Sequence, residues 1–251
     1  MNTEIIAIDV HTHINTGSKF DTKVTEFNKS DLESLTAINK AANIEKMFCS
    51  PYCAVLSTEE VVQGNEYMYN LSLEKENLYQ WVVIEPRNEE TFHQAKQMLQ
   101  SPKCVGIKLH PPFHEYSFEE YGDKIFSFAS EFGAVVQIHP ERDADYILPF
   151  ADKYADVKFL MAHHGSFDGT GYARAIGNAK HGNVYTDTSG KASYYNYILE
   201  YTVNLVGSEK ILFGTDTYAP GFQRGRIEMS LISEKDKENI LVNNAKKLFG
   251  L

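Results

Sequence analysis

The chain has 251 residues, of which 43% are hydrophobic, a formal net charge of −10 and three cysteines. The acidic balance argues against a general nucleic-acid-binding surface, and no apolar run approaches the roughly 20 residues of a membrane span. The few cysteines predict reduced thiols, and residues 1–4 lack the basic flank of a signal peptide, so we expect a cytoplasmic protein.

Eight short apolar runs alternate with longer amphipathic stretches along the whole chain. Several runs are nearly continuous in Val, Ile, Leu and Phe, which is typical of parallel strands buried on both faces. The predicted strands cover residues 5–10, 44–49, 79–84, 105–109, 134–138, 157–162, 183–186 and 211–213. Eight strand–helix units in about 250 residues predict a single-domain α/β fold over residues 1–251, a (β/α)8 TIM barrel. A doubly wound open sheet is the alternative, although the glycine fingerprint of its dinucleotide-binding form is missing.

Four Ser-x-x-acid patterns predict helix starts between these strands. In each, the serine accepts from a free helix N–H while the acid reaches back. The pairs are Ser30 and Glu33, Ser57 and Glu60, Ser117 and Glu120, and Ser233 and Asp236.

The first strand ends on two histidines, His11 and His13. Residues i and i+2 of a strand point to the same side, so both imidazoles can face one point. A divalent metal ion needs this convergence of ligands, but two ligands alone do not complete a site.

Other strand ends carry polar residues of the kinds that complete a metal centre. They are Lys108 and His110 after strand four, His139 after strand five, His163 or His164 after strand six, and Asp216 after strand eight. In a TIM barrel these ends meet at one face, where catalysis takes place. The joint pattern therefore predicts a metal-dependent active site.

Nitrogen and carboxylate ligands without a thiolate favour zinc, with manganese, iron or cobalt as alternatives. Such an ion lowers the pKa of a bound water towards about 7. Asp216 is suited to act as ligand, as general base, or as both.

The ordered motifs resemble the amidohydrolase superfamily, specifically the amidohydrolase-related (amidohydrolase family 2) metal-dependent hydrolases of TIM-barrel fold. The resemblance runs from end to end and rests on Asp9-Val10-His11-Thr12-His13, Gly106-Ile107-Lys108-Leu109-His110-Pro111, His139, His163-His164-Gly165 and Gly214-Thr215-Asp216. It implies that His11, His13, His139 and Asp216 bind a metal.

The resemblance leaves two positions open. His163 is preferred to His164 for the strand-six role, either as a ligand to a second metal or as a catalytic acid or electrophile. Lys108 corresponds either to a carboxylated lysine that bridges two metals or, with one metal, to a substrate contact. Unmodified lysine is a poor ligand because it is protonated near neutral pH.

Several residues near the strand ends are candidates for substrate binding. Arg87 and Arg142 are suited to clamp a carboxylate. His110 shares the alternation of Lys108, and Tyr218 lies in the loop after Asp216.

Three activities on a small-molecule substrate are open. The leading hypothesis is hydrolysis of an amide, cyclic amide or lactone by metal-activated water. The alternative is non-oxidative decarboxylation or hydration of an unsaturated or aromatic carboxylic acid, and phosphoester hydrolysis of the TatD or PHP type comes third. A homodimer is the default oligomeric expectation.

Overall fold

A computed structural model describes residues 5–21 and 29–251, with the backbone alone for Lys191 and Ser193. Its strands are β1 Ala7–Ile14, β2 Ile44–Pro51, β3 Leu78–Val83, β4 Cys104–Leu109, β5 Val135–Ile138, β6 Lys158–Met161, β7 Val184–Asp187 and β8 Ile211–Leu212. The strands pair in parallel in sequence order from β1 to β8. The sheet then closes on itself, because the Val10 amide donates to the Phe213 carbonyl at 3.0 Å. The predicted TIM barrel is confirmed and the open sheet is excluded.

Helices separate the strands around the outside of the barrel. They are α1 Leu32–Ala41, α2 Tyr52–Leu56, α3 Val61–Glu74, α4 Glu89–Met98, α5 Pro111–His114, α6 Phe118–Glu131, α7 Leu148–Lys153, α8 Gly171–Asn178, α9 Ile198–Val206, α10 Pro220–Glu228, α11 Glu234–Glu238 and α12 Asn244–Phe249. Short 3-10 turns occur at Ala144–Ile147 and Gly190–Ser193, and a π-helical stretch at Asn239–Asn243 precedes α12.

Two of the four predicted helix starts are confirmed. Ser117 and Ser233 accept from the third amide of their helices, as expected. The start at Ser30 is wrong by one residue, since the Asp31 carboxylate accepts from the Ser34 amide. The start at Ser57 is also wrong, because α3 begins four residues later without a side-chain cap.

The first strand is longer than predicted and this matters for the site. β1 continues through His11 and His13 to Ile14, and all eight of its residues are buried. Both histidines therefore lie within the strand rather than in a loop: His13 pairs with Ser50 of β2, and His11 lies in an irregularity of the ladder between Asp9 and Thr12.

Three buried, free cysteines agree with the prediction of reduced thiols. No helix in the described ranges is long and apolar enough to cross a membrane. Residues 1–4, on which the signal-peptide expectation rests, lie outside the described part of the chain.

At Gly106 the backbone of β4 packs closely against Trp81 and Val135 of the neighbouring strands. A Cβ added there would lie 2.7 Å from the Trp81 ring and closer still to the carbonyl oxygen of Val135, and its φ is +154°. Trp81 is itself fixed, because its indole N–H donates to the Val10 carbonyl at 2.9 Å. Neither neighbour can move without disturbing the barrel.

We expect Gly106→Ala to lower the free energy of unfolding by about 3 kcal/mol, through overpacking and backbone strain. Urea denaturation followed by circular dichroism measures this loss. Gly221→Ala in α10 is the control, since no atom lies within 4 Å of its added Cβ. Equal stability of the two variants would contradict the argument.

Candidate metal centre

His11, His13 and Asp216 converge at the mouth of the barrel. The two histidine Nε2 atoms are 3.3 Å apart, and Asp216 Oδ1 lies 3.0 Å from His13 Nε2 and 3.5 Å from His11 Nε2. Ligands about 2.1 Å from one tetrahedral ion lie roughly 3.4 Å from each other. The spacing therefore fits a single divalent cation held by these three side chains.

The closing turn of the barrel places Asp216 beside the histidines. The amide of Asp216 donates to the His11 carbonyl at 2.7 Å, and Thr217 Oγ1 accepts from the His13 amide at 2.6 Å. Asp216 and Thr217 have φ values of 54° and 68°. Non-glycine residues adopt this region at an energetic cost, so the tertiary contacts hold the turn in place.

The Asp9 side chain links β1 to the turn that follows β8. Its carboxylate accepts from the amides of His11 and Thr215 and, at 2.6 Å, from the Thr215 hydroxyl. Burial raises the pKa of Asp9 to about 7, against these hydrogen bonds. The Asp9 side chain thus positions the backbone of β1 and of the turn after β8, the two segments that carry the histidines and Asp216. It does so without contacting the metal-facing atoms of those side chains.

The sequence reasoning missed Asp187, which lies at the end of β7. Its Oδ2 accepts from His11 Nδ1 at 2.9 Å, and its Oδ1 accepts from Ser189 Oγ. Burial alone would raise the pKa of Asp187, but the interaction with His11 and the other hydrogen bonds lower it. The predicted strand stopped at residue 186, one position short, and the strand-end rule that found Asp216 also applies to Asp187.

Asp187 and Ser189 together fix the tautomers of two histidines. A carboxylate only accepts, so His11 must carry its proton on Nδ1, which leaves the Nε2 lone pair facing Asp216 and His13. Ser189 donates its proton to Asp187 and accepts from His163 Nδ1 at 2.9 Å. The Nε2 lone pair of His163 is therefore directed towards His139, whose Nδ1 lies 3.0 Å away.

The structure distinguishes His163 from His164, the two candidates at the end of β6. His163 lies in the cluster, with a φ of 63° and its ring centroid 4.9 Å from that of His11. The Nε2 of His164 instead lies 3.0 Å from Thr202 Oγ1 of α9, and its ring packs on Tyr172. Burial lowers the pKa of His163 to about 4, so its imidazole is neutral.

His139 and His110 form a stacked pair next to His163. Their rings stack at 3.9 Å, and burial lowers the pKa of His139 to about 2. His110 Nδ1 also accepts from the Phe113 amide and caps α5. The His110 ring therefore packs against the cluster, while its Nδ1 accepts a hydrogen bond from the backbone.

Lys108 is fully buried and points into the site. Its Nζ lies 3.2 Å from His11 Nε2. Burial lowers the pKa of Lys108 to about 8, while Asp187 and Asp216 act in the opposite direction. The chain thus places one amine beside the three converging ligands.

The candidate substrate contacts divide into two groups. Tyr218 lies at the mouth, and its hydroxyl faces Tyr52, whose ring is 5.1 Å from His13. The structure does not bring either arginine to the cluster. Arg87 binds Glu85 and the His114 carbonyl, and Arg142 binds exposed Glu119 and lies over Tyr146.

The family model described as Amidohydrolase (Amidohydro_2) matches residues 8–251. The chain belongs to the amidohydrolase family. This bears out the resemblance seen in the motifs, and it means that the protein is an enzyme of that family. A search of curated protein sequences gives no match.

Solved structures resemble this amidohydrolase-family barrel over its whole length. A 5-carboxyvanillate decarboxylase from Sphingomonas paucimobilis aligns with a TM-score of 0.72 at 13% identity, covering 98% of this chain and 99% of that chain. A dihydroxybenzoic acid decarboxylase from Polaromonas, with bound manganese, gives 0.73 at 15%, covering 98% and 97%. A probable 2-pyrone-4,6-dicarboxylic acid hydrolase from Acinetobacter baumannii gives 0.73 at 13%, covering 98% and 100%. At these identities the likeness establishes the fold.

The family, the manganese-containing neighbour and the His/His/Asp triad together support a divalent metal in this enzyme. His11, His13 and Asp216 are the residues whose spacing fits it. The ligand roles assigned to His139, His163 and Lys108 stay predictions.

We expect Asp187→Asn to weaken metal binding about 10–100-fold, because the amide no longer fixes the His11 tautomer. Competition with a chromophoric chelator, using Zn²⁺ or Co²⁺, measures the dissociation constant. Ser189→Ala should weaken binding less, because the direct Asp187 contact to His11 remains.

His164→Gln is the matched control, since it alters the neighbouring histidine that faces α9. We expect it to change stability but not metal affinity. If Asp187→Asn and His164→Gln bound metal equally well, the proposed role of Asp187 would be wrong.

Proposed function

We propose that this protein is a metal-dependent, non-oxidative decarboxylase of a small aromatic or unsaturated carboxylic acid. The observation that carries the proposal is the placement of a buried amine, Lys108, beside a triad suited to a cation. The named decarboxylases among the structural neighbours support this reading more than the hydrolase reading that the motifs favoured.

The reaction sets the requirements of the site. The bond between the substrate carbon and its carboxylate breaks, carbon dioxide leaves, and the electron pair that remains on carbon takes a proton. No oxidant is needed. The site must hold an anion, exclude water and deliver one proton to carbon.

A divalent ion held by His11, His13 and Asp216 would bind oxygen atoms of the substrate and stabilise negative charge on them. We propose zinc or manganese, since both accept imidazole and carboxylate ligands. His11 and His13 suit this task because burial lowers their pKa values and keeps the imidazoles neutral.

Lys108 and Asp216 have different roles in this proposal. Lys108, with a pKa of about 8, carries a transferable proton near neutral pH and attracts a carboxylate. Asp216 is half-buried, and although desolvation opposes ionisation, its contact with His13 and the nearby histidines hold its pKa well below the usual range. We assign Lys108 to substrate binding and proton delivery, and Asp216 to metal binding.

The substrate is expected to carry a single carboxylate. Arg87 and Arg142 are paired with acids of their own and lie away from the cluster. A dicarboxylic acid has a second carboxylate. Among the described residues, no arginine lies at the mouth of the barrel to bind it. Tyr218, which is 39% exposed and lies two residues after Asp216, instead provides aromatic surface for a planar ring.

Hydrolysis of a lactone or cyclic amide is the second candidate. It is favoured by Asp216, which suits a general base, and by the two pyrone-hydrolase neighbours. In that case Lys108 can act as a carboxylated bridge between two ions, whereas the decarboxylase proposal needs one ion and a free amine.

We expect carbon dioxide release from a panel of phenolic and unsaturated monocarboxylic acids, measured with a coupled carbon dioxide assay. A chelator should abolish the release and Zn²⁺ or Mn²⁺ should restore it. A parallel panel of lactones and cyclic amides, followed by ring opening, is the control. Metal-dependent ring opening without carbon dioxide release would overturn the proposal in favour of hydrolysis.

We expect Lys108→Met to lower kcat/KM about 10²–10⁴-fold, through loss of the proton donor. The metal content should remain one ion per chain by elemental analysis, because the triad is intact. A fall from two ions to one would instead identify Lys108 as a carboxylated bridge. Lys103→Met is the control variant, since Lys103 lies one residue before β4 and its Nζ donates to the carbonyls of Lys75, Glu76 and Leu78 rather than to the cluster; it should leave both quantities unchanged.

A further inference from the structure

The ring nitrogen Nε2 of His110 is a polar atom that no contact within the site accounts for. His110 directly follows β4 and is 4% exposed. Its Nδ1 accepts from the Phe113 amide at 3.3 Å, whereas its Nε2 has no hydrogen-bond partner among the described residues. This Nε2 is not sealed inside the protein, in contrast to the Nδ1 atoms of His114 and His164, which are buried without a partner. A group from outside the chain can therefore reach it.

The contact with Phe113 determines which nitrogen of His110 carries the proton. A backbone N–H only donates, so the His110 Nδ1 must offer its lone pair and holds no proton. An imidazole ring keeps at least one proton, which therefore lies on Nε2. His110 is thus a neutral ring whose remaining nitrogen is a hydrogen-bond donor. Burial acts in the same direction, because it lowers the pKa of His110 well below its ordinary value.

The local sequence His110-Pro111-Pro112-Phe113 explains why this contact forms. Proline has no N–H, so the Phe113 amide is the first one after His110 that can donate. His110 is the N-cap of α5, and N-cap side chains accept from the second or third amide of their helix. Four consecutive residues therefore fix the tautomer of His110 without a contact from a distant part of the chain.

Two neighbouring rings hold the His110 ring in this orientation. The His139 ring stacks on it at a centroid distance of 3.9 Å and an interplanar angle of 21°, and the Phe113 ring lies 4.6 Å away. A half-turn of the His110 ring would put a carbon in place of Nδ1 and leave the Phe113 amide without this acceptor. The Nε2–H donor is therefore preorganised, which lowers the free-energy cost of binding an acceptor.

The surroundings of His110 favour a negatively charged acceptor. Lys108 lies two residues earlier and, with a pKa of about 8, carries a positive charge near neutral pH. Arg87 and Arg142 are paired with acids away from the cluster. An imidazole N–H beside an ammonium group suits a carboxylate, since hydrogen bonds to charged groups are stronger than those between neutral groups.

We propose that His110 is a substrate-binding residue that donates from Nε2 to an oxygen of the substrate carboxylate. This inference rests on the proposed function, in which the substrate is a monocarboxylic acid. His110 transfers no proton in this role, and Lys108 remains the proton donor. Phe113 is a positioning residue, because its amide sets the tautomer of His110.

The first experiment identifies the tautomer in the wild-type protein with Zn²⁺ present. Two-dimensional NMR of protein with ¹⁵N-labelled histidine separates Nδ1–H, Nε2–H and doubly protonated rings by their nitrogen chemical shifts. The signals that are missing from His110→Gln belong to His110. We expect the Nε2–H form between about pH 6 and pH 8, and we expect salicylate to shift its Nε2 signal. An Nδ1–H form, a doubly protonated ring or an unshifted signal overturns the proposal.

The second experiment compares His110→Gln with His110→Asn, with salicylate as the probe and phenol as the ligand that lacks a carboxylate. The side-chain nitrogen of Gln reaches the position of Nε2, whereas that of Asn reaches only the position of Nδ1. By calorimetry on the zinc-loaded protein, we expect the Gln variant to bind salicylate within about threefold of wild type and the Asn variant about 10–100-fold more weakly. Phenol binding should change little in either variant.

His93→Asn is the matched control, because His93 is an exposed histidine on α4, and it should bind salicylate as the wild type does. Equal weakening by the Gln and Asn substitutions, unchanged binding in both, or no salicylate binding by the wild type overturns the proposal. None of these measurements requires turnover. Salicylate binding that depends on His110, without carbon dioxide release, would support the role of His110 while contradicting the proposed decarboxylation.

Discussion

The seam between β8 and β1 is the contact on which both the barrel and the metal centre depend. β8 has only two residues, so a long ladder cannot close the sheet. Closure comes instead from the Val10–Phe213 hydrogen bond and from Asp9, which binds the turn that follows β8. Gly214 permits this approach, since a Cβ there would lie 2.9 Å from the Cβ of His11. The bonds that close the barrel therefore also set Asp216 beside the two histidines.

The interior of the barrel at this end is polar, and stability alone does not explain it. Lys108 and Asp187 are fully buried, and Gln137 reaches across to donate to Val10 and Asp187. Buried charges cost solvation free energy that hydrophobic residues of similar size would not. The opposite charges of Lys108 and Asp187 compensate each other, and both groups contact His11, as expected if they serve the proposed metal binding and catalysis.

The loops after β7 and β8 carry Asp187, Ser189 and Asp216 towards the site. Gly190 lies beside the same cluster, because a Cβ at this position would lie 3.3 Å from the Cβ and Nδ1 of His163, and its φ is +71°. The loop after β7 therefore packs directly against a candidate catalytic histidine.

Local patterns in the sequence determined the barrel and much of the site. Periodicity in apolar residues specifies strands and helices within a few residues, and the i, i+2 spacing of His11 and His13 places both rings on one side of a strand. The tertiary structure alone decided the partners of the remaining polar groups. Arg87 and Arg142 each neutralise a nearby acid, Glu85 and Glu119, and so do not reach the cluster. Asp187 gained its role from His11, 176 residues away, and no local periodicity encodes such a contact.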